Sequence, residues 1–273
     1  MKEIATRLGI ALVCVLLLTQ CTSPPVQESS KREKRLLAVF AHPDDESTVG
    51  AVLAKYAAAG VKVYLATATD GRLGFNEFAG IPAGDALAAA RVKELQCATQ
   101  KLGINPPIMF GLYDQLKMGE GLQAYLGQMR ELRDRVTKLF EELQPDAVIT
   151  WGPSGWTGHP DHRLVGDIVT EVFQSRQWQR PAQLYYPALK TPSDPAAARA
   201  GDSATVDESF LTVRIAVTPA DYEKGKAALQ CHRSQFKPEQ MEQLSQGLIA
   251  AQAGIAHFQP AIAGKGKKDS LLP

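Results

Sequence analysis

Cysteine is scarce in this 273-residue chain, and its four copies, Cys14, Cys21, Cys97 and Cys231, form no Cys-x-x-Cys pair. That spacing argues against thiolate ligation of a metal. Only Cys97 and Cys231 fall in the body of the chain; a disulfide between them and two separate buried thiols are both compatible with the sequence. An excess of either charge is also missing: the formal net charge is +1, which leaves no electrostatic reason to expect a nucleic-acid partner. There is no long dividing linker and no internal repeat. With 45% hydrophobic residues, the chain can build one large core, and a single domain over residues 36–258 is expected.

The first segment reads as a targeting signal. Lys2 and Arg7 give a positive start, and the apolar stretch from Leu8 to Leu18 is too short for a comfortable membrane span. Leu18-Thr19-Gln20-Cys21 is similar to a bacterial lipoprotein signal in which the cysteine is lipidated, although Gln20 stands where a small residue is usual. Residues 1–20 are thus expected to be a lipoprotein-type signal peptide and residues 21–35, with Pro24-Pro25 and Lys31-Arg32-Glu33-Lys34-Arg35, a flexible tether. The resulting location is the bacterial cell envelope, on its periplasmic side, with the membrane as a partner through Cys21. An ordinary secretory signal and an uncleaved anchor are the alternatives.

Beyond the tether, short apolar runs alternate with amphipathic stretches. Leu36–Phe40, Val61–Ala68, Pro107–Phe110 and Ala147–Thr150 read as parallel strands buried on both faces. Ser47–Ala59, Asp85–Leu102 and Leu122–Leu143 have helical spacing; the last carries the stripe Leu122, Leu126, Met129, Leu132, Val136, Leu139, Leu143. Gly60 and Gly103 sit where helices should stop. Further on, Gln183–Tyr186 and Phe210–Val217 read as strands, Pro219–His232 and Glu239–Gln252 as helices, Thr191–Ser203 as a surface loop, and residues 259–273 as a disordered tail. The fold class is α/β: a Rossmann-like, doubly wound, mainly parallel sheet with helices on both faces.

Two clusters carry chemistry. Ala41-His42-Pro43-Asp44-Asp45-Glu46 follows the first strand, where open α/β sheets keep their active sites. His42 and Asp45 can converge on one metal ion, with zinc, Fe2+ or another divalent first-row metal suited to imidazole and carboxylate. Asp44 is then free to act as a general base, and Glu46 to cap or support. Gly158-His159-Pro160-Asp161-His162 follows a later strand-like run and holds two of the five histidines. One of these can be a third ligand, the other can meet the substrate oxygen, and Asp161 can orient an imidazole. Three protein ligands leave the open position of a catalytic metal site.

Taken together, these motifs resemble the PIG-L/LmbE-like family of zinc-dependent N-deacetylases, over most of the stretch from Leu36 to His257. Thr67-Ala68-Thr69-Asp70-Gly71, Arg91-x-x-Glu94, Leu102-Gly103 and His232-Arg233-Ser234-Gln235 support the likeness. The resemblance implies His42, Asp45 and His162 as zinc ligands and Asp44 as the base that activates the zinc-bound water. It implies that protonated His159 stabilises the oxyanion and assists the leaving amine, with Asp161 as its orienting partner. The reaction implied is hydrolysis of the acetamide of an N-acetylglucosamine-type sugar or glycoconjugate. Arg91 matches a substrate-contacting arginine, Asp114 falls where relatives bind sugar hydroxyls, and Arg72 can line the mouth; a helix-stabilising or surface charge is the competing reading for each. His232 reads as a structural histidine or a group behind the site. Trp151 and Trp156 read as sugar-stacking rings or as core. Two rival functions remain: an amidase for a non-sugar or thiol-conjugate amide, and a non-catalytic envelope sugar-binding protein.

Overall fold

Strand β1 (Arg35–Phe40) lies in the interior of the sheet, and its alternating side chains feed two different cores. In this computed structural model, which describes residues 32–193, 205–264 and 266–273, Leu36, Ala38 and Phe40 pack into one apolar cluster with Val52, Leu95 and Phe258. Leu37, Val39 and Ala41 pack into another with Leu132, Phe140 and Val165. A strand covered on both faces needs apolar residues at every position, and from Leu36 to Ala41 each is fully buried.

The other strands are β2 (Lys62–Thr69), β3 (Ile108–Leu112), β4 (Ala147–Ile149), β5 (Gln183–Lys190), β6 (Thr205–Val206), β7 (Val213–Ala216) and β8 (Ile255–Pro260). The sheet order is β3-β2-β1-β4-β5-β8-β7, with β6 beside β5. The pairs from β3 through β5 are parallel, and β8 pairs antiparallel with both β5 and β7. The helices are α1 (Gly50–Ala58), α2 (Asp85–Leu102), α3 (Leu122–Leu143), the single turn α4 (Gly155–Gly158), α5 (Pro160–Gln174), α6 (Pro219–Leu229) and α7 (Pro238–Gln252). The chain winds from β1 outward to β3, then returns to place β4 on the other side of β1. That reversal opens a crevice between the carboxyl ends of β1 and β4, the ligand position of open α/β sheets. It also brings both sequence clusters to one place.

Several expectations need correction. The helix expected over Ser47–Ala59 starts as a 3-10 turn, Asp45–Thr48, before α1. The strand expected over Phe210–Val217 is shorter, because a 3-10 turn at Glu208–Phe210 takes its beginning. The helix expected to reach His232 stops at Leu229. The tail expected to be disordered from Gln259 is packed instead. Gln259 and Pro260 end β8, Lys268 bridges to Val213, and Leu271 is fully buried with its N–H donated to the Tyr56 hydroxyl at 2.7 Å. Cys97 and Cys231 form a disulfide with Cα atoms 5.9 Å apart, settling the alternative that the spacing left open. The expected signal peptide, Cys21 and most of the 191–203 loop lie outside the described residues. Among the described residues no helix is long and apolar enough to cross a membrane.

Candidate metal centre and active site

His42 leaves the end of β1, and His162 sits in the first turn of α5. Their facing atoms, Nδ1 of His42 and Nε2 of His162, are 3.2 Å apart. Asp45 Oδ1 lies 3.1 Å from the His162 nitrogen and 3.8 Å from the His42 nitrogen. A tetrahedral ion ligated at about 2.0–2.2 Å holds its donors roughly 3.3 Å apart, so this triangle has the dimensions and the donor types of a His/His/Asp metal centre. His159 also approaches: one nitrogen from each of His42, His159 and His162 lies within 4.8 Å of the others.

Each donor is held from behind. Asp45 Oδ2 accepts the backbone N–H groups of Ala41 and His42, both at 2.9 Å, and the indole N–H of Trp151 at 3.1 Å. This leaves Oδ1 to face the histidines. His162 Nδ1 meets the Gly155 carbonyl at 2.9 Å, and its ring lies flat on Trp151, with centroids 4.7 Å apart. His42 Nε2 contacts Asp161 Oδ2 at 3.0 Å, and the same oxygen accepts the N–H of Gln115 at 2.8 Å. A carboxylate behind a ligating imidazole fixes its tautomer and raises its basicity.

The electrostatics follow from crowding. Burial opposes the charged form of His42, but hydrogen bonds to Asp161 and Asp45 outweigh it and carry its pKa from 6.5 up to about 10. Burial likewise opposes charge on His162, and Asp45 prevails and raises it. The Asp45 carboxyl is pushed well below its ordinary range: burial resists, and the two histidines win. Burial raises the Asp44 carboxyl, with the Arg91 guanidinium pulling the other way.

Asp44 is not one of the donor triangle's members and pairs with Arg91 instead. Its Oδ2 is 3.0 Å from Arg91 Nη2, and its backbone has φ of 121°, a conformation that side-chain-bearing residues rarely adopt and that costs about 1–3 kcal/mol. Strain gathers around this centre. Of the seven non-glycine residues with positive φ among the described residues, five are Asp44, Gln115, Leu116, Lys117 and Trp156. The left-handed turn at Gln115 aims its N–H at Asp161. An apolar cavity bordered by Thr48, Trp156, Tyr222, Leu229 and Leu248 lies close by, but no residue of Ala41–Glu46 or Gly158–His162 lines it.

Residues 37–173 match the PIG-L family, described as GlcNAc-PI de-N-acetylase. The chain belongs to this family. A 1D-myo-inositol 2-acetamido-2-deoxy-alpha-D-glucopyranoside deacetylase from Mycobacteroides abscessus is 34% identical over 58% of the chain, which spans 61% of that relative's length. The enzyme of the same name from Corynebacterium diphtheriae is 32% identical over 74% of this chain and 76% of its own. Among solved structures, the N,N'-diacetylchitobiose deacetylase from Pyrococcus horikoshii superposes with a TM-score of 0.62 at 22% identity, covering 86% of each chain. At that identity the likeness speaks for the fold.

Within this PIG-L chain, His42, Asp45 and His162 come together as expected. Asp161 does not orient His159: its side chain serves His42, while its backbone N–H donates to His159 Nδ1 at 3.2 Å as the amino-terminal cap of α5. An Nδ1 that accepts an N–H carries no proton, which leaves the proton on Nε2. Burial and the neighbouring His42 and His162 also lower the His159 pKa. Both features favour a neutral His159 with its Nε2–H available over the protonated form that the resemblance implies.

The three expected substrate contacts have structural work. Arg91 is 3% exposed and spends its guanidinium on Asp44, the Pro43 carbonyl at 2.5 Å and the Gly71 carbonyl at 3.0 Å. A Cβ at Gly71, where φ is +71°, would stand 2.3 Å from that guanidinium, which explains a glycine there. Asp114 accepts the N–H groups of Gly71 and Leu73 at 2.9 and 2.7 Å and so ties down the loop after β2. Arg72 is bound to Asp70 and Asp85 and covers the Tyr113 ring at 4.9 Å. Sequence reasoning missed the indole N–H of Trp151 on Asp45; a tryptophan directly after a buried strand offered only the hint of a partnered ring.

Proposed function

We propose that the protein is a zinc-dependent N-deacetylase that hydrolyses the acetamide of an N-acetylglucosamine-type sugar or glycoconjugate. The observation that carries this is the convergence of His42, Asp45 and His162 at a sheet switch point, with His159 within 4.8 Å of both histidines and Asp44 next to Asp45 in the chain. Family membership and the activities named for the relatives support the same chemistry.

His42 Nδ1, His162 Nε2 and Asp45 Oδ1 are the residues that would hold the ion. When bound, zinc supplies a Lewis acid that polarises the acetamide carbonyl and acidifies water. Asp44 removes a proton from the attacking water, and Arg91 keeps that carboxylate in place while burial keeps it basic. His159 donates its Nε2–H to the oxygen on which negative charge develops. Asp44 then returns its proton to the departing nitrogen, so acetate and a free amine leave and the residues regain their starting state. The loop over Asn76–Gly84, which follows the segment that Asp114 ties down at Gly71 and Leu73, would help decide which amine-bearing group is accepted.

The test is acetate release from a panel of N-acetylglucosaminides alongside acylated thiol conjugates. The expected result is turnover of the acetamido sugars that disappears on chelation and returns with zinc. Turnover confined to the non-sugar amides would replace the substrate assignment, and chelator-insensitive turnover would refute the metal role.

A further inference from the structure

We propose that Glu46 and His232 are positioning residues, a buried pair that holds the backbone of Asp44 in the conformation its base role requires. The inference rests on the reading of Asp44 as the base. Asp44 sits at φ of 121°, and such a backbone persists only when its surroundings determine it. Its side chain is held by Arg91. Its backbone N–H is held by Glu46 Oε2 at 3.1 Å. The other oxygen of Glu46 meets His232 Nε2 at 2.6 Å, and the two side chains are 1% and 0% exposed.

His232 comes from a segment 186 residues further along the chain, and that segment is fastened to α2. Cys231 is disulfide-bonded to Cys97. Ser234 donates its N–H and its hydroxyl to the two oxygens of Glu94, both at 2.7 Å. Arg91, Glu94 and Cys97 lie three residues apart on one face of α2, so one helix holds the carboxylate of Asp44 directly and its backbone through the Cys231–Ser234 segment. The pair is poorly suited to a purely stabilising purpose. His232 Nδ1 is buried with no hydrogen-bond partner, and a buried ion pair is commonly replaceable by apolar side chains at no cost to the fold. Its geometry makes sense as a brace on the base.

The experiment compares zinc-loaded wild type, His232→Leu and Glu46→Gln for kcat, KM, zinc content, Tm and crystal structure, with an N-acetylglucosaminide as the probe. His232→Leu is expected to lower kcat by ~10-fold or more with KM and zinc content unchanged, on top of the lowered Tm that loss of one partner of a buried pair brings, and Glu46→Gln, which breaks the same pair but keeps an oxygen for the Asp44 N–H, to lose about threefold or less in kcat. In the His232→Leu structure Asp44 is expected to leave positive φ. A kcat for His232→Leu within about twofold of wild type overturns the brace, as does loss that merely follows loss of zinc or of fold in both variants. If wild type releases no acetate from any acetamido sugar, the proposed function fails separately. The structures then decide alone: Asp44 unchanged in both variants overturns the brace, and a relaxed Asp44 in His232→Leu upholds it.

Discussion

Asp44 and Asp45 are adjacent carboxylates with opposite environments, and the difference comes from who surrounds each oxygen. Asp45 receives three N–H donors on one oxygen and two imidazoles on the other, which suits a permanent anion and a ligand. Asp44 is partly buried against one guanidinium and is held less acidic, which suits a group that must accept and return a proton. The metal-free site also has a definite pH signature. The folded-state pKa of His42 is raised from 6.5 to about 10, so its contribution to stability is complete below the unfolded value and disappears as pH climbs through the folded one. Asp45 and Asp161 are lowered from 3.8, so their contribution is present above that value and is lost as pH falls through the folded one. Chelated protein is therefore expected to be most stable between about pH 4 and 6.5 and to lose stability steadily toward pH 10, as read by urea unfolding. Zinc uptake in the upper window should release protons, as read by calorimetry in buffers of different ionisation heat; uptake without proton release would contradict the charged cluster.

At the scale of elements, α2 and α3 were legible to the residue. Asp85–Leu102 and Leu122–Leu143 coincide with the expected helices, because a long apolar stripe on a charged helix has no other use. β1 to β4 were legible to within two residues because a run buried on both faces is largely apolar, whereas β5 runs four residues past the expected Tyr186, to Lys190. β8 was not legible. Ile255–Pro260 alternates Ile, His and Gln with Ala, Phe and Pro, a weak pattern that becomes a strand only because β5 and β7 offer their edges. The roles of Arg91 and Asp161 were obscured similarly, since a sequence shows that a charge is present and not which neighbour consumes it. The disulfide joins α2 to the end of α6 across a separation of 134 residues. Reducing it is expected to cost about 2–5 kcal/mol in urea unfolding. No change in the unfolding midpoint on reduction would show that packing alone holds the two elements together.

For the whole molecule, the strand order explains why residues from 42 and from 162 meet. The reversal at β1 and β4 leaves one crevice, and both ligand-bearing segments emerge at its lip. Neither motif states that order, but repeated strand–helix–strand patterning with right-handed crossovers leaves few alternatives. We propose envelope placement from the amino-terminal signal: Cys21→Ser is expected to move the protein from the membrane fraction to the soluble fraction of the envelope, and an unchanged distribution would refute lipidation.

The central claim is a division of labour, with His42, Asp45 and His162 holding the metal and Asp44 moving the proton. The most direct measurement is acetate release by zinc-loaded Asp44→Asn beside zinc-loaded wild type, with bound zinc quantified in both. The account predicts equal zinc content and a kcat lower by about 10²–10⁴-fold in the variant. Full turnover by an Asp44→Asn protein that retains its zinc would contradict it.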